Sequence, residues 1–417
     1  MATQIPVNPS PLSTKGIGEL AMLDKQGWNI LAEEVSLPIA VLNESALQNN
    51  LEWMMHYTRQ TGVKLAPHGK TTMAPELFLA QQKAGCWAMS LATAPQVAAA
   101  SQAGIQRVIM ANQLVGLRNM QIIAQLIEQS DLEYYCFVDS YANAEALNRF
   151  FMAKDLTLNI LLEVGVDGGR CGVRDSAKAK ELATQLQNLS AIKLTGLAFY
   201  EGVIHGSDAT DKVNDLIDSV RVLAVDLHQQ NCFADGEILL SGAGSEWYDR
   251  VAEQLGSAGL PDEFSVVIRP GCYLIHDTGI YQHAQQQLRQ RSQLACDLGG
   301  GLTSSMQIWA YVQSVPESGL AIVGMGKRDV AFDAGLPTPE LHYRPGQSQP
   351  AAVDEQWQLR RIMDQHAMLL FPQSADVQPG DIMCFSTSHP CLTMDKWRYI
   401  GIVDSTFRVR RLIETCF

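Results

Sequence analysis

The chain has 417 residues, 47% of them hydrophobic and 18% charged, with a formal net charge of −13. That length suits two domains and buries most of the apolar surface without disulfide or metal staples. The acidic balance argues against nucleic acid and anionic membrane as partners, and no apolar run reaches membrane-spanning length.

The first ten residues hold no cationic segment leading into an apolar core, so no secretory signal is expected. Nine cysteines without framework spacing read as the reduced thiols of a cytoplasmic protein. Cys86, Cys136, Cys232 and Cys296 sit in apolar surroundings and are expected in the core. Residues 1–36 stand apart from the rhythm that follows, and packing on the C-terminal region is one place for them.

From there short apolar runs alternate with Ala/Gln/Leu-rich stretches. The runs Val63–Pro67, Cys86–Leu91, Arg107–Ala111, Tyr134–Val138, Leu158–Glu163, Leu194–Tyr200, Glu237–Ser241 and Phe264–Arg269 predict eight strands. Helices are expected near Glu44–Thr61, Ala74–Ala84, Ala94–Ala103, Leu114–Gln129, Tyr141–Met152, Asp175–Leu189, Thr210–Gln230 and Glu246–Leu255. Strands without polar alternation are covered on both faces, as parallel strands under helices are. Eight such units with no topological break predict an α/β chain with a (β/α)8 TIM-like barrel over residues 37–285. The rival is an open doubly wound sheet. Beyond it, Ser305–Val315, Gly319–Gly324, Ile382–Ser386, Tyr399–Val403 and Phe407–Ile413 are separated by Gly/Pro turns. They predict a mostly antiparallel β domain over 286–417.

Barrel chemistry sits at the C-terminal ends of the strands. After the seventh comes Ser241-Gly242-Ala243-Gly244-Ser245, small residues running into a helix whose free N–H groups make an anion site. A tight turn with Ser245 as N-cap is the plainer reading. After the first comes His68-Gly69-Lys70-Thr71. Alone, Lys70 reads as a solvated loop lysine. Beside a phosphate cup, a partly desolvated lysine amine reads as the Schiff-base partner of pyridoxal phosphate.

The stretch Ala66-Pro67-His68-Gly69-Lys70-Thr71 resembles the lysine motif of the D-serine dehydratase and D-threonine aldolase family. These are fold-type III pyridoxal-phosphate enzymes with an alanine-racemase-like barrel. Gly165-Val166-Asp167-Gly168-Gly169-Arg170-Cys171-Gly172 is similar to its fifth-strand arginine loop, Ser241–Ser245 to its phosphate loop, and Arg269-Pro270-Gly271-Cys272-Tyr273 to its Arg-Pro-Gly segment. The resemblance runs from about Pro38 onward. Met73 follows Thr72 where many relatives carry a His-Lys pair, a departure that bears on the substrate subgroup.

The resemblance implies that Lys70 holds the cofactor and moves a proton at Cα. It implies phosphate contacts from Ser241, Gly242, Gly244 and Ser245, with help from Gly271 and Tyr273. It places Arg170 near the ring or its phenolic oxygen and Tyr200 near the ring edge or pyridine nitrogen. A salt bridge with Glu163 or Asp167 is the other role open to Arg170, and a barrel-core aromatic the other for Tyr200. His68, Glu201 and His205 are weaker candidates around the mouth.

In the β domain, His389-Pro390-Cys391 sets an imidazole and a thiol two residues apart. On an extended chain they would face one side, a pairing that zinc accepts. Followed by Asp395-Lys396-Trp397-Arg398, it resembles the family's metal segment, where dehydratases tend to carry His-x-Cys and aldolases His-x-Asp. The implied enzyme is a homodimeric lyase with pyridoxal phosphate and Zn2+. It would eliminate water from a small β-hydroxy D-amino acid such as D-serine, giving an α-keto acid and ammonia. A metal-dependent D-threonine-type aldolase and a non-catalytic pyridoxal-phosphate carrier are the alternatives.

Overall fold

The computed structural model describes residues 11–23 and 27–417. Eight parallel strands form one sheet in the order Lys64–Leu65, Phe264–Ile268, Ile238–Gly242, Ile192–Phe199, Leu158–Val164, Glu133–Val138, Arg107–Gln113 and Met89–Leu91. The sheet closes into a barrel. His68 bridges Ser90 in parallel, and the Trp87 and Ser90 amides donate to the carbonyls of Leu65 and Pro67, each at 2.8 Å. The (β/α)8 architecture is therefore present, and each strand lies within two or three residues of its expected run.

Alternation explains the closure. Ala66, Ala88, Ile109, Tyr135, Phe137, Leu161, Ala198, Leu239 and Val267 share one interior cluster, in which small side chains make room for two aromatic rings. The opposite faces pack under the helices in the main core. The first covering helix, Glu44–Thr61, starts on Asn43, whose side chain accepts the Ala46 amide, and ends at Gly62 with φ +70°.

The second sheet is antiparallel in every pairing but one. Its path runs Trp28–Asn29, Arg408–Glu414, Tyr399–Val403, Ile39–Asn43, Met306–Glu317, Leu320–Val323, Ala367–Leu370, Gln358–Ile362. Met306–Glu317 also pairs with Ile382–Ser386, which in turn pairs with Thr338–Tyr343. The exception is Ile39–Asn43, parallel to Tyr399–Val403.

That strand belongs to this sheet although it falls within the span 37–285 expected of the barrel. The other edge of that span, residue 285, lies inside a helix, Ile280–Arg291. Of residues 1–36, those at 1–10 and 24–26 lie outside the described residues. Ile17, Trp28, Ile30 and Val35 pack with Trp309 and Tyr399 in the β domain's own core.

None of the nine cysteines is bridged. Cys86, Cys136 and Cys232 are buried as expected, but Cys296 is exposed on the short helix Gln293–Asp297. The apolar neighbours Leu294 and Ala295 turn inward there, leaving the thiol outside. Among the described residues, no helix is long and apolar enough to cross a membrane.

Candidate active site

The C-terminal ends of the barrel strands surround a cavity of about 310 Å3. Its walls include His68, Lys70, Asn112, Glu163, Arg170, Tyr200, Gly244 and Arg269. Lys70 sits in the single turn Gly69–Thr71 directly after the first strand. Among the described residues, no hydrogen bond or ion pair ties its side chain. Beside it His68 keeps a buried Nδ1 with no partner. Burial, then the charges of Lys70, Arg269 and Arg170, hold this imidazole well below its ordinary pKa, so it is neutral.

Arg269 is the buried cation of the floor. It donates to the Ser241 hydroxyl and, at 2.9 Å, to the Phe199 carbonyl. Burial lowers its pKa to about 10, leaving it charged near neutrality. Glu163, next to last in the fifth strand, accepts from the Gln113 amide. Its carboxyl is pushed up by burial and drawn back by Gln113 and Arg269. With Asp139 and Cys171 it forms a cluster whose ligand-type atoms all lie within 4.8 Å of one another.

Arg170 makes no ion pair with Glu163 or Asp167. Its guanidinium lies 4.2 Å from the centre of the Tyr200 ring. Tyr200 in turn lies against Gly244, where a Cβ would come within 2.9 Å of the ring.

The seventh loop differs from its expected form. The Ala243 and Gly244 amides donate to the Glu201 carboxylate at 3.1 and 2.8 Å, so the N–H of Gly244, one of the expected phosphate contacts, is already bonded. Glu201 is buried under the loop and shapes it. Ser241 is buried on Arg269 and the Val267 carbonyl, and at Gly242 a Cβ would run into the Phe199 ring. Both lie beneath the cavity and are absent from its walls.

Ser245 accepts the Gly271 and Cys272 amides at 3.1 and 3.0 Å. These two successive amides are satisfied by one side-chain oxygen, as the Ala243 and Gly244 amides are by the Glu201 carboxylate. Tyr273 is turned away, its hydroxyl on Gln81 at 2.9 Å, and His205 is exposed beside Glu246 and Arg250.

His389 and Cys391 meet at the seam between barrel and β domain, but not on an extended strand. Pro390 is helical, with φ −61° and ψ −44°, and Cys391–Met394 is a helical turn. Proline's fixed φ suits a helix start as well as a strand. The imidazole still reaches the thiol, and its Nδ1 is 2.7 Å from Asp333. Nε2 is thereby left for a ligand, as with a metal-binding histidine oriented by a carboxylate.

Cys391 Sγ lies 3.4 Å from the hydroxyl of Thr71, the neighbour of Lys70, and 3.5 Å from Cys272 Sγ. The Cys272 thiol is pushed up by burial, while its contact with Cys391 pulls the latter down.

Arg269, Glu163, Asn112 and Asp139 were missed as site residues by sequence reasoning. Arg269 stands in the Arg-Pro-Gly segment and Glu163 is an expected partner for Arg170, whereas only the positions of Asn112 and Asp139 at or just past strand ends could have flagged those two.

Residues 42–256, just over half of the chain, match the family described as "Alanine racemase, N-terminal domain", and 305–403 match "Putative serine dehydratase domain". A D-threonine aldolase from Arthrobacter sp is 26% identical over 77% of this chain and 79% of its own. The D-threo-3-hydroxyaspartate dehydratase of Delftia sp. (strain HT23) is 28% identical over 33% of this chain and 35% of its own. Among solved structures, D-threonine aldolase from Filomicrobium marinum superposes with a TM-score of 0.77 at 20% identity, covering 93% of this chain and 97% of that one. The lysine turn and the arginine loop fall within the first of these matches and His389 and Cys391 within the second, and the chain belongs to the alanine racemase N-terminal domain family, with a segment matching the putative serine dehydratase domain behind its barrel.

Proposed function

We propose that the protein is a pyridoxal-phosphate-dependent lyase acting on a small β-hydroxy D-amino acid, with β-elimination of water as its reaction. One observation carries the reading. The unpaired amine of Lys70 opens on the barrel cavity, and the Cys391 thiol of the His389–Cys391 pair touches Thr71, the next residue. Relatives of both lyase types, D-threonine aldolase and D-threo-3-hydroxyaspartate dehydratase, support it.

The residues fit the cofactor. The cavity is large enough for its ring and His68 offers an unpartnered buried nitrogen; Ser245 and the Gly271 amide that it accepts are the proposed phosphate contacts. Bound there, pyridoxal phosphate supplies an electron sink for the pair left at Cα. Lys70 would hold it covalently, and its free Nζ would take the Cα proton. Arg269 would keep a fixed positive charge at the cavity floor. Tyr200, backed by Arg170, walls the cavity and would face the cofactor. Neutral His68 packs beside Lys70 and adds no further charge there. Ser241 and Gly242 support this floor from below, and Tyr273 braces the eighth loop.

His389 and Cys391 also fit a divalent metal, and their nitrogen and sulfur favour zinc. Such an ion would supply Lewis acidity toward a β-hydroxyl, a poor leaving group unaided.

Retro-aldol cleavage is the second reading, favoured by the similarity to a D-threonine aldolase along three quarters of the chain. Incubation with D-serine, D-threonine and 3-hydroxy-D-aspartate separates the two. Keto acid with ammonia is expected; glycine with an aldehyde gives the aldolase. Cofactor bound without turnover of any D-amino acid gives the carrier. A cytoplasmic homodimer completes the proposal.

A further inference from the structure

We propose that Cys272 is a third protein ligand of the metal held by His389 and Cys391. The inference rests on the metal reading above and adds a residue from a different part of the chain. Cys272 follows the eighth barrel strand, and Cys391 opens a helical turn of the β domain. Their sulfurs are 3.5 Å apart and unbridged. The Thr71 hydroxyl lies 3.8 Å from one and 3.4 Å from the other. Cys272 is only 3% exposed.

A thiol is a weak donor and a weak acceptor, so mutual contact gives little reason to hold two of them together away from water. A shared divalent ion gives a reason. With metal–sulfur bonds of about 2.3 Å in tetrahedral geometry, two sulfurs on one zinc stand about 3.8 Å apart. The pair needs to open by only a few tenths of an ångström. On the other side of Cys391, His389 is already in contact, with Nδ1 committed to Asp333. Its Nε2 would complete a set of one nitrogen and two sulfurs. The fourth tetrahedral position stays open, as in catalytic zinc sites. Binding releases the thiol protons to solvent.

Two consequences follow. A set with two thiolates selects zinc, cobalt or cadmium over magnesium and manganese. The backbone N–H of Cys272 also donates to the Ser245 hydroxyl, so one residue would join the metal site to the loop proposed to contact the cofactor's phosphate.

Zinc X-ray absorption on the cofactor-loaded, zinc-replete enzyme tests this directly. Two sulfur scatterers at about 2.3 Å are expected. Cys272→Ser and Cys272→Ala should each show one sulfur and bind zinc at least tenfold more weakly, with circular dichroism checking their fold. The count on the unsubstituted enzyme decides even if both variants misfold. Zinc bound through a single sulfur removes Cys272 and leaves His389 and Cys391 as ligands. Two sulfurs kept in both variants overturn the assignment as well. If stripped enzyme cannot be reloaded with zinc, the metal reading falls and this inference with it.

Discussion

At the scale of single residues, Lys70 is the sharpest test. Lys70→Ala should reduce turnover to background, because no other amine lines the cavity. Borohydride reduction of the unsubstituted enzyme should put the cofactor on the Lys70 peptide, and a label on another lysine would refute the site.

Gly244 is needed for space. A Cβ there meets Tyr200 at 2.9 Å, so Gly244→Val should push the ring and Arg170 into the cavity. Cofactor affinity should fall roughly tenfold, about 1.4 kcal/mol. Equilibrium dialysis reads it, and unchanged affinity would show that the loop yields.

His276 is buried with both ring nitrogens unpartnered, and burial lowers its pKa to about 4. Its folded pKa lies below the unfolded value near 6.5, so its contribution is complete above pH 6.5 and is lost as pH falls toward 4. The shift corresponds to about 3 kcal/mol. Asp277 works in the opposite sense: burial raises its carboxyl to about 6, so its contribution fades as pH rises from about 4 through 6. Asn tolerates the left-handed backbone of His276, φ +54°. His276→Asn should therefore lose less Tm than the unsubstituted protein between pH 6.5 and 4.5. Parallel melting curves would exclude the imidazole as an acid-labile group.

At the scale of elements, a buried polar side chain ties the first covering helix to the crossing between domains. Asn50 donates to the Leu274 and Thr303 carbonyls at 2.9 and 2.7 Å and accepts the Thr303 amide at 2.8 Å. Asn50→Ala leaves those backbone groups buried without partners and should cost about 2–4 kcal/mol, read as a lowered Tm.

The barrel elements were legible because every run carries a continuous apolar pattern and every helix an Ala/Leu face. Ile39–Asn43 was not separated from the helix behind it, because a short apolar run before a helix reads equally as a helix approach. Thr338–Tyr343 was missed because Pro339 and Glu340 break its apolar pattern. Gln358–Ile362 was missed because Gln358, Arg360 and Arg361 face solvent in a strand with only two buried side chains. Such strands are specified by pairing with neighbours already in place.

At the scale of the whole molecule, the site is built across the seam between barrel and β domain. Chelation should therefore act on one half of it. Treatment with a strong chelator should collapse turnover of D-serine while leaving the visible absorption of the bound cofactor in place. β-Chloro-D-alanine, with a better leaving group, should lose less. Indifference of D-serine turnover, with no zinc found by elemental analysis, would return His389 and Cys391 to ordinary β-domain residues. Cys391→Ala should mimic chelation.

The sequence by itself determined the barrel, because parallel strands covered on both faces need an apolar pattern that is continuous along the chain. It also determined the candidate lysine, because Pro-His-Gly-Lys-Thr is contiguous and its position after the first strand follows from counting. Tertiary structure alone decided which of the flagged residues share a cavity. It put Lys70, Arg170, Tyr200 and Gly244 on the walls, and it sank Ser241 and Gly242 beneath them. It gave the loop's amides to Glu201 and brought Arg269 in as the floor. It also laid Cys272 against Cys391, more than a hundred residues away. The physical reason is the same in each case. Periodicity records which side of an element is apolar, whereas a site depends on which ends of distant elements converge, and that is set by barrel closure and domain docking.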